Sequence, residues 1–241
     1  MDAQDYRSSH QQSGAHYDST LFTTPFDAYM DRWEAQHLAA LLPRLYPARI
    51  PRYLDFACGT GRITQRVAPL AVESVGVDVS ESMLEGARAK CPGTRFLCVD
   101  LTRRDTGLGL FDLVTSFRFF GNAQDELRTA ALGAIARHVR PGGHLVINNH
   151  RNPGALMDVA RQMSGGAPEL DLSHAKLRTL LRKHGFDIVE AKAIGFWLFR
   201  ARLLTAQMLE SPRAARFERL FGGAAFVPRA PDALLVARKV A

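Results

Sequence analysis

Two periods of hydrophobic and polar positions alternate along this chain. From Phe22 to Leu45, apolar side chains recur at three- and four-residue steps (Phe26, Met30, Trp33, His37, Ala40, Leu41), which predicts a helix that Pro43 and Pro47 end. Short apolar runs then follow at 51–56, 74–78, 95–99, 111–117 and 144–150, separated by helical patterns at 61–69, 81–90 and 125–139. Alternating strands and helices with short connections predict an α/β fold, a parallel sheet covered by helices on both faces. Arg140-Pro-Gly-Gly-His144 reads as punctuation, with Pro141 stopping the preceding helix. Beyond His150 the pattern loosens into helices at 154–164 and 173–184, a strand at 186–194, a helical insertion from Arg200 to Leu220 and a final strand at 232–239. The insertion breaks at Ser211-Pro212, where serine as N-cap and proline at the first helical position start a second helix.

This pattern divides the chain into a polar tail (1–20) and one domain (21–241). The domain holds a cap helix (21–48), a ligand-binding core (49–150) and a second half (151–241) with its insertion at about 200–222. The 241 residues are 46% hydrophobic, enough for a real core. No run approaches the roughly 20 apolar residues of a membrane span, and the polar, acid-bearing N-terminus resembles no targeting peptide. Cys58, Cys91 and Cys98 cannot all pair and lack the spacing of a metal site, so a reducing cytoplasm is the expected home and no metal is expected. The net charge of +7 is compatible with an anionic partner or with a generally arginine-rich surface. Its dispersal, as in Arg103-Arg104 and Arg182-Lys183-His184, favours the second. Leu203, Leu204, Met208, Phe217, Leu220 and Phe221 stripe the insertion; core or lid packing is the plain reading and peripheral membrane contact the sharper one.

In an open parallel sheet, ligands bind beyond the carboxyl ends of the strands. Here those ends carry polar groups in succession. The first delivers Asp55 and a small-residue loop with Gly59 and Gly61; the second, Asp78; the third, Asp100; the fourth, Ser116 and Phe117. Asp78, about 20 positions after the glycine loop, suits two ribose hydroxyls. Asp100 with the Leu101 backbone suits an adenine edge, and Met83 an adenine face. Singly, each has a structural explanation as helix cap or core residue. Together they define a nucleoside site.

Asp55-Phe-Ala-Cys-Gly-Thr-Gly61, Val75-Gly-Val-Asp78-Val-Ser-Glu-Ser-Met83-Leu84, Asp100, Phe111-Asp-Leu-Val-Thr-Ser-Phe117 and Pro141-Gly-Gly143 resemble, in order, the motifs of class I S-adenosylmethionine-dependent methyltransferases. The resemblance covers residues 50 to 150 closely. It implies a Rossmann-like, doubly wound seven-stranded sheet whose last strand, 232–239, is reversed. It also implies S-adenosylmethionine as cofactor. Asp55 and the backbone from Ala57 through Gly59 to Gly61 would face its methionine part, Asp78 the ribose, Val79 and Met83 the adenine, and Asp100 and Leu101 the adenine edge. Phe117 would line the methyl-donor channel. Ala57 stands where the family most often has its first glycine; one added methyl group is expected to leave binding intact. A nicotinamide dinucleotide is the rival, but its fingerprint wants a third glycine, and Gly61 is followed by Arg62, Ile63 and Thr64.

The acceptor is expected beside Phe117–Asn122 and Asn148–Arg151. His150 is the candidate general base, Arg118 and Arg151 are candidate anion clamps, and Asn122 and Asn149 are further acceptor contacts. The aromatic Ser-Phe-Arg-Phe turn, in place of an Asn/Asp-Pro-Pro-aromatic one, favours a small molecule methylated on oxygen or nitrogen over a flipped base. An RNA methyltransferase and a cofactor-binding regulator without catalysis are the alternatives. Tyr17, Phe22, Phe26 and Tyr29 are expected to close over the acceptor.

Overall fold

The computed structural model describes residues 25–104, 106–150, 152–165, 172–195 and 206–240. Strands β1 (Ile50–Phe56), β2 (Ala71–Asp78), β3 (Arg95–Cys98), β4 (Phe111–Ser116), β5 (Val139–Asn149), β6 (Phe186–Ile194) and β7 (Asp232–Lys239) form one sheet in the order β3-β2-β1-β4-β5-β7-β6. Strands β1 to β5 pair in parallel, and β7 runs antiparallel between β5 and β6. The reversed last strand is therefore the one expected. Chain direction across the sheet switches sides between β1 and β4, which leaves a crevice beyond their carboxyl ends.

Adjacent residues of one strand enter opposite cores because side chains alternate across a sheet. Tyr53, Leu113, Val146 and Leu234 meet helix α1 (Pro25–Leu45), which buries Tyr29, Met30, Trp33, Leu38, Leu41 and Leu42 on that face. Their neighbours Leu54, Val114, Ile147 and Leu235 join the other core, with Leu127, Ala131 and Ile135 of α4 (Asp125–His138) and Leu177 and Leu181 of α6 (His174–Lys183). Each large apolar side chain buried this way contributes roughly 1.5–3 kcal/mol. The remaining helices are α2 (Thr64–Val67, extended by a 3-10 turn to Leu70), α3 (Glu81–Lys90), α5 (Leu156–Met163), α7 (Ala206–Glu210) and α8 (Pro212–Phe221).

Several expected boundaries move. Pro43 lies inside α1, and the buried stripe runs through Leu38 and Leu42, with His37 half-buried and Ala40 exposed. The first core helix starts at Thr64, because the glycine loop continues to Ile63. Pro141 does not stop α4, which ends at His138. Strand β5 has already begun at Val139, opposite Phe111; residues 140–143 bulge, and pairing resumes at Leu113 opposite His144. Ser211 does cap α8, its hydroxyl accepting the Ala214 N–H at 3.2 Å. The tail, Tyr17, Phe22, Arg151, Leu203 and Leu204 lie outside the described residues.

Candidate functional site

The crevice is a cleft of about 930 Å³, its open mouth included. Every cofactor-facing residue expected from sequence except Gly61 lines it: Asp55, Ala57, Gly59, Asp78, Val79, Met83, Asp100, Leu101 and Phe117. After β1 the backbone turns left-handed at Ala57 (φ 57°), Gly59 (53°) and Gly61 (80°). The two glycines adopt this at no steric cost, whereas Ala57 pays about 1 kcal/mol for its Cβ. Gly61 sits behind the loop against α3: a Cβ there would come within 3.1 Å of the Ala87 Cβ. Two features thus define the loop, bare backbone toward the cleft and close helix packing behind it.

Asp78, at the end of β2, ties the loop down. Its Oδ2 accepts the Gly59 N–H at 2.8 Å and its Oδ1 the Ser80 N–H at 3.0 Å. Asp100 lies at the next strand end, its Oδ1 accepting from the Thr102 N–H (2.9 Å) and hydroxyl (2.5 Å). Asp55 is different. It is buried, and its two oxygens accept from the hydroxyls of Thr64 (2.6 Å) and Thr115 (2.8 Å). Desolvation outweighs these bonds and raises its pKa to about 6.

The acceptor side is only partly as expected. Arg118 lines the cleft between Phe117 and Phe119. Asn122 does not line it; its amide donates to the Arg118 carbonyl at 2.7 Å, and its Oδ1 lies 3.2 Å from His150 Nε2. His150 does not line the cleft either, since its ring packs on the Gly121 backbone. Asn149 is fully buried and turned to the other face, where it donates to the Leu172 carbonyl at 2.9 Å and sits 3.0 Å from His174 Nδ1. Its neighbour Asn148 points toward α1 instead, with Oδ1 accepting the Arg118 N–H at 2.6 Å. Neither asparagine lines the cleft. Counting strand parity from Val146, which faces α1, places Asn148 rather than Asn149 on the α1 side of the sheet. Tyr29 and Phe26 do not close over the cleft; they pack into the α1 core.

Sequence reasoning missed the polar joint beneath α1. Glu34, 1% exposed, accepts from the Asn148 amide and from Arg62 at 2.8 Å. Arg62 lines the cleft and also pairs with Asp31, which Arg66 grips with both nitrogens at 2.6 and 2.7 Å. The signal was present: Glu34 lies on the buried stripe with Met30, Leu38 and Leu41, and an acid there needs a partner. Among the described residues no cluster of histidine, cysteine and acidic side chains could hold a metal ion, and no helix is long and apolar enough to cross a membrane.

Residues 54–143 match the family model of a methyltransferase domain. The chain is 35% identical over 125 residues to a demethylmenaquinone methyltransferase of Beutenbergia cavernae, covering 52% of this chain and 50% of the relative. It is 29% identical over 152 residues to a ubiquinone biosynthesis O-methyltransferase of Alkalilimnicola ehrlichii, covering 55% and 60%. The chain thus spans only about half to three fifths of the length of these curated relatives. In fold it is similar to the N-methyltransferase NodS from Bradyrhizobium japonicum WM9, solved with S-adenosyl-L-homocysteine (TM-score 0.64, 18% identity, 98% of this chain and 99% of that one). Residues 54–143 thus match a methyltransferase domain, and the ordered strand-end motifs and the reversed last strand around them are those that the resemblance to class I S-adenosylmethionine-dependent methyltransferases implies.

Proposed function

We propose that this protein methylates a small molecule on oxygen or nitrogen, with the acceptor entering beside Phe117, Arg118 and Phe119. The observation that carries this reading is the pairing, in one cleft, of a left-handed glycine loop with Asp78 hydrogen-bonded to its Gly59 N–H. When bound, S-adenosylmethionine would supply a methyl group on a sulfonium for in-line transfer to an acceptor lone pair, with a neutral thioether left behind and the acceptor's proton passing to solvent. The residues fit that molecule. Asp78 keeps acceptor capacity for ribose hydroxyls, Met83 and Val79 offer an apolar plate, and Asp100 with the Leu101 backbone offers an acceptor and a donor for the adenine edge. The loop backbone at Ala57 and Gly59, above the buried Asp55, would take the methionine part.

Among the described residues lining the cleft there is no histidine. Asp55 is held by two threonines, so among the described residues we assign no general base and rest the rate on proximity and alignment of nucleophile and methyl carbon. The relatives named for quinone substrates and the N-methyltransferase fold neighbour support a small acceptor without choosing between oxygen and nitrogen. The test is incubation of the chain with methyl-labelled S-adenosylmethionine and fractionated cell extract. Label in a low-molecular-weight product that needs the protein is expected. Label only in RNA, or in no fraction, would refute the proposal, and the latter result would favour a cofactor-binding regulator.

A further inference from the structure

We propose that the outer face of α8 docks this protein onto a membrane surface rich in anionic phospholipid, at the end of the sheet where the cleft opens. Helix geometry sets the face. At about 100° per residue, Arg213, Arg216 and Arg219 share an arc of about 120°, and Leu220 falls inside it. All four are exposed, Leu220 by 64%. Ala214 and Glu218, on the opposite side of the helix, are 0% and 1% exposed.

Among the described residues the charge on this face has no counterpart. Arg44, Arg52, Arg66, Arg88 and Arg140 each pair with an acid. The guanidinium groups of Arg213, Arg216 and Arg219 have neither an ion pair nor a hydrogen bond among the described residues. The acid of α8, Glu218, is turned inward, where it accepts from the Tyr29 hydroxyl at 2.6 Å and the Gly195 N–H at 2.7 Å. Glu210, on α7, lies 3.9 Å from Arg32.

The apolar member of the face selects the partner. A row of nucleic-acid phosphates would engage the arginines and leave Leu220 in water. A bilayer takes both, because arginines reach headgroup phosphates while the leucine enters the acyl boundary. Met208, three residues before the Ser211 cap, is also 54% exposed. Topology places this face at the cleft end of the sheet. Strand β7 runs antiparallel to both β5 and β6, so β6 ends at the same edge as β1 to β5. Gly195, whose N–H holds Glu218, directly follows β6, and Arg32 ties α7 to α1 by donating to the Leu209 carbonyl at 3.0 Å. A chain docked through α8 therefore keeps that edge beside the lipid.

The experiment is co-flotation of the full chain with vesicles of phosphatidylcholine alone and of an equal mixture with phosphatidylglycerol, at low and high salt. Wild type is expected to float with the mixed vesicles only, and less at high salt, because the attraction is screened. Each arginine near an anionic surface is worth about fivefold in binding. Arg216→Gln/Arg219→Gln should thus weaken binding at least about tenfold, while Arg216→Lys/Arg219→Lys keeps it. Leu220→Gln should weaken it severalfold. Arg182→Gln/Lys183→Gln removes two charges from the end of α6, which packs in the core on the other face of the sheet, and should cost no more than about twofold. Failure of wild type to float with the mixed vesicles, or an equal loss in the α6 pair, would overturn the proposal. So would full binding by Leu220→Gln, or an RNA oligonucleotide bound more tightly than the vesicles, since either points to a soluble polyanion. Titration of the same variants with S-adenosyl-L-homocysteine should match wild type, which verifies their fold. Wild-type chain that floats yet binds no S-adenosyl-L-homocysteine would count against the cofactor reading and leave this one standing.

Discussion

Replacing Asp55 by asparagine should reverse a pH-dependent penalty built into the floor of the cleft. The carboxyl group is 1% exposed, and desolvation raises its pKa from 3.8 to about 6 despite hydrogen bonds from Thr64 and Thr115. The sign follows from proton counts. Between pH 4 and 6 the folded chain holds a proton that the unfolded chain has released, so stability falls as pH rises through this window. A shift of about two units is worth roughly 3 kcal/mol, fully lost above pH 6. Asparagine preserves the shape and can exchange hydrogen bonds with both hydroxyls, but it carries no charge. Urea unfolding from pH 4 to 8 is the assay. The stability of Asp55→Asn minus that of wild type should rise by roughly 3 kcal/mol between pH 4 and 7. Other titrating groups, including His174 (depressed to about 4 by burial), largely cancel in this difference. A difference that stays flat across the range would refute the desolvation argument.

Gly61→Ala should destabilise the fold by about 1–3 kcal/mol, because the new Cβ meets Ala87 at 3.1 Å and the backbone there is left-handed (φ 80°); an unchanged midpoint in urea would contradict the packing reading. Glu218 is buried and its pKa is raised to about 7, chiefly by desolvation, so the charged form needs its bonds from Tyr29 (2.6 Å) and the Gly195 N–H (2.7 Å) more than the neutral form does. Tyr29→Phe should therefore lower the thermal midpoint more at pH 8 than at pH 5.5, and equal losses would speak against this pairing. Asn148→Leu should destabilise the fold by about 1–3 kcal/mol, because it removes the acceptor of the Arg118 N–H and a donor to the buried Glu34; an unchanged midpoint in urea would undo this reading of the polar joint.

The sheet and the cofactor half of the cleft were legible because both are local in sequence. Strand runs ending in Asp55, Asp78 and Asp100 put each carboxylate one step from its own loop, and the parallel order then brings them together. The acceptor half was not, because it depends on contacts far apart in the chain. Glu34 finds Asn148 across 114 positions, and nothing near either residue announces the other. His150 fails as a cleft residue because Gly121 offers its ring a bare backbone to pack on, a tertiary fact with no periodic signature. Pro141 misled for a different reason. A four-residue bulge let β5 begin before the proline, so a residue that ordinarily ends a helix sits inside a strand.

Calorimetric titration of the wild-type chain and Asp78→Ala with S-adenosyl-L-homocysteine, with NAD as the counter-ligand, tests the central claim most directly. Wild type should bind S-adenosyl-L-homocysteine and not NAD. The variant, losing the acceptor proposed for the ribose as well as its hold on the Gly59 N–H, should bind at least about tenfold more weakly, in line with the roughly 1.5–3 kcal/mol of a hydrogen bond to a charged group. Undiminished affinity in Asp78→Ala, or binding of NAD in preference, would contradict the account.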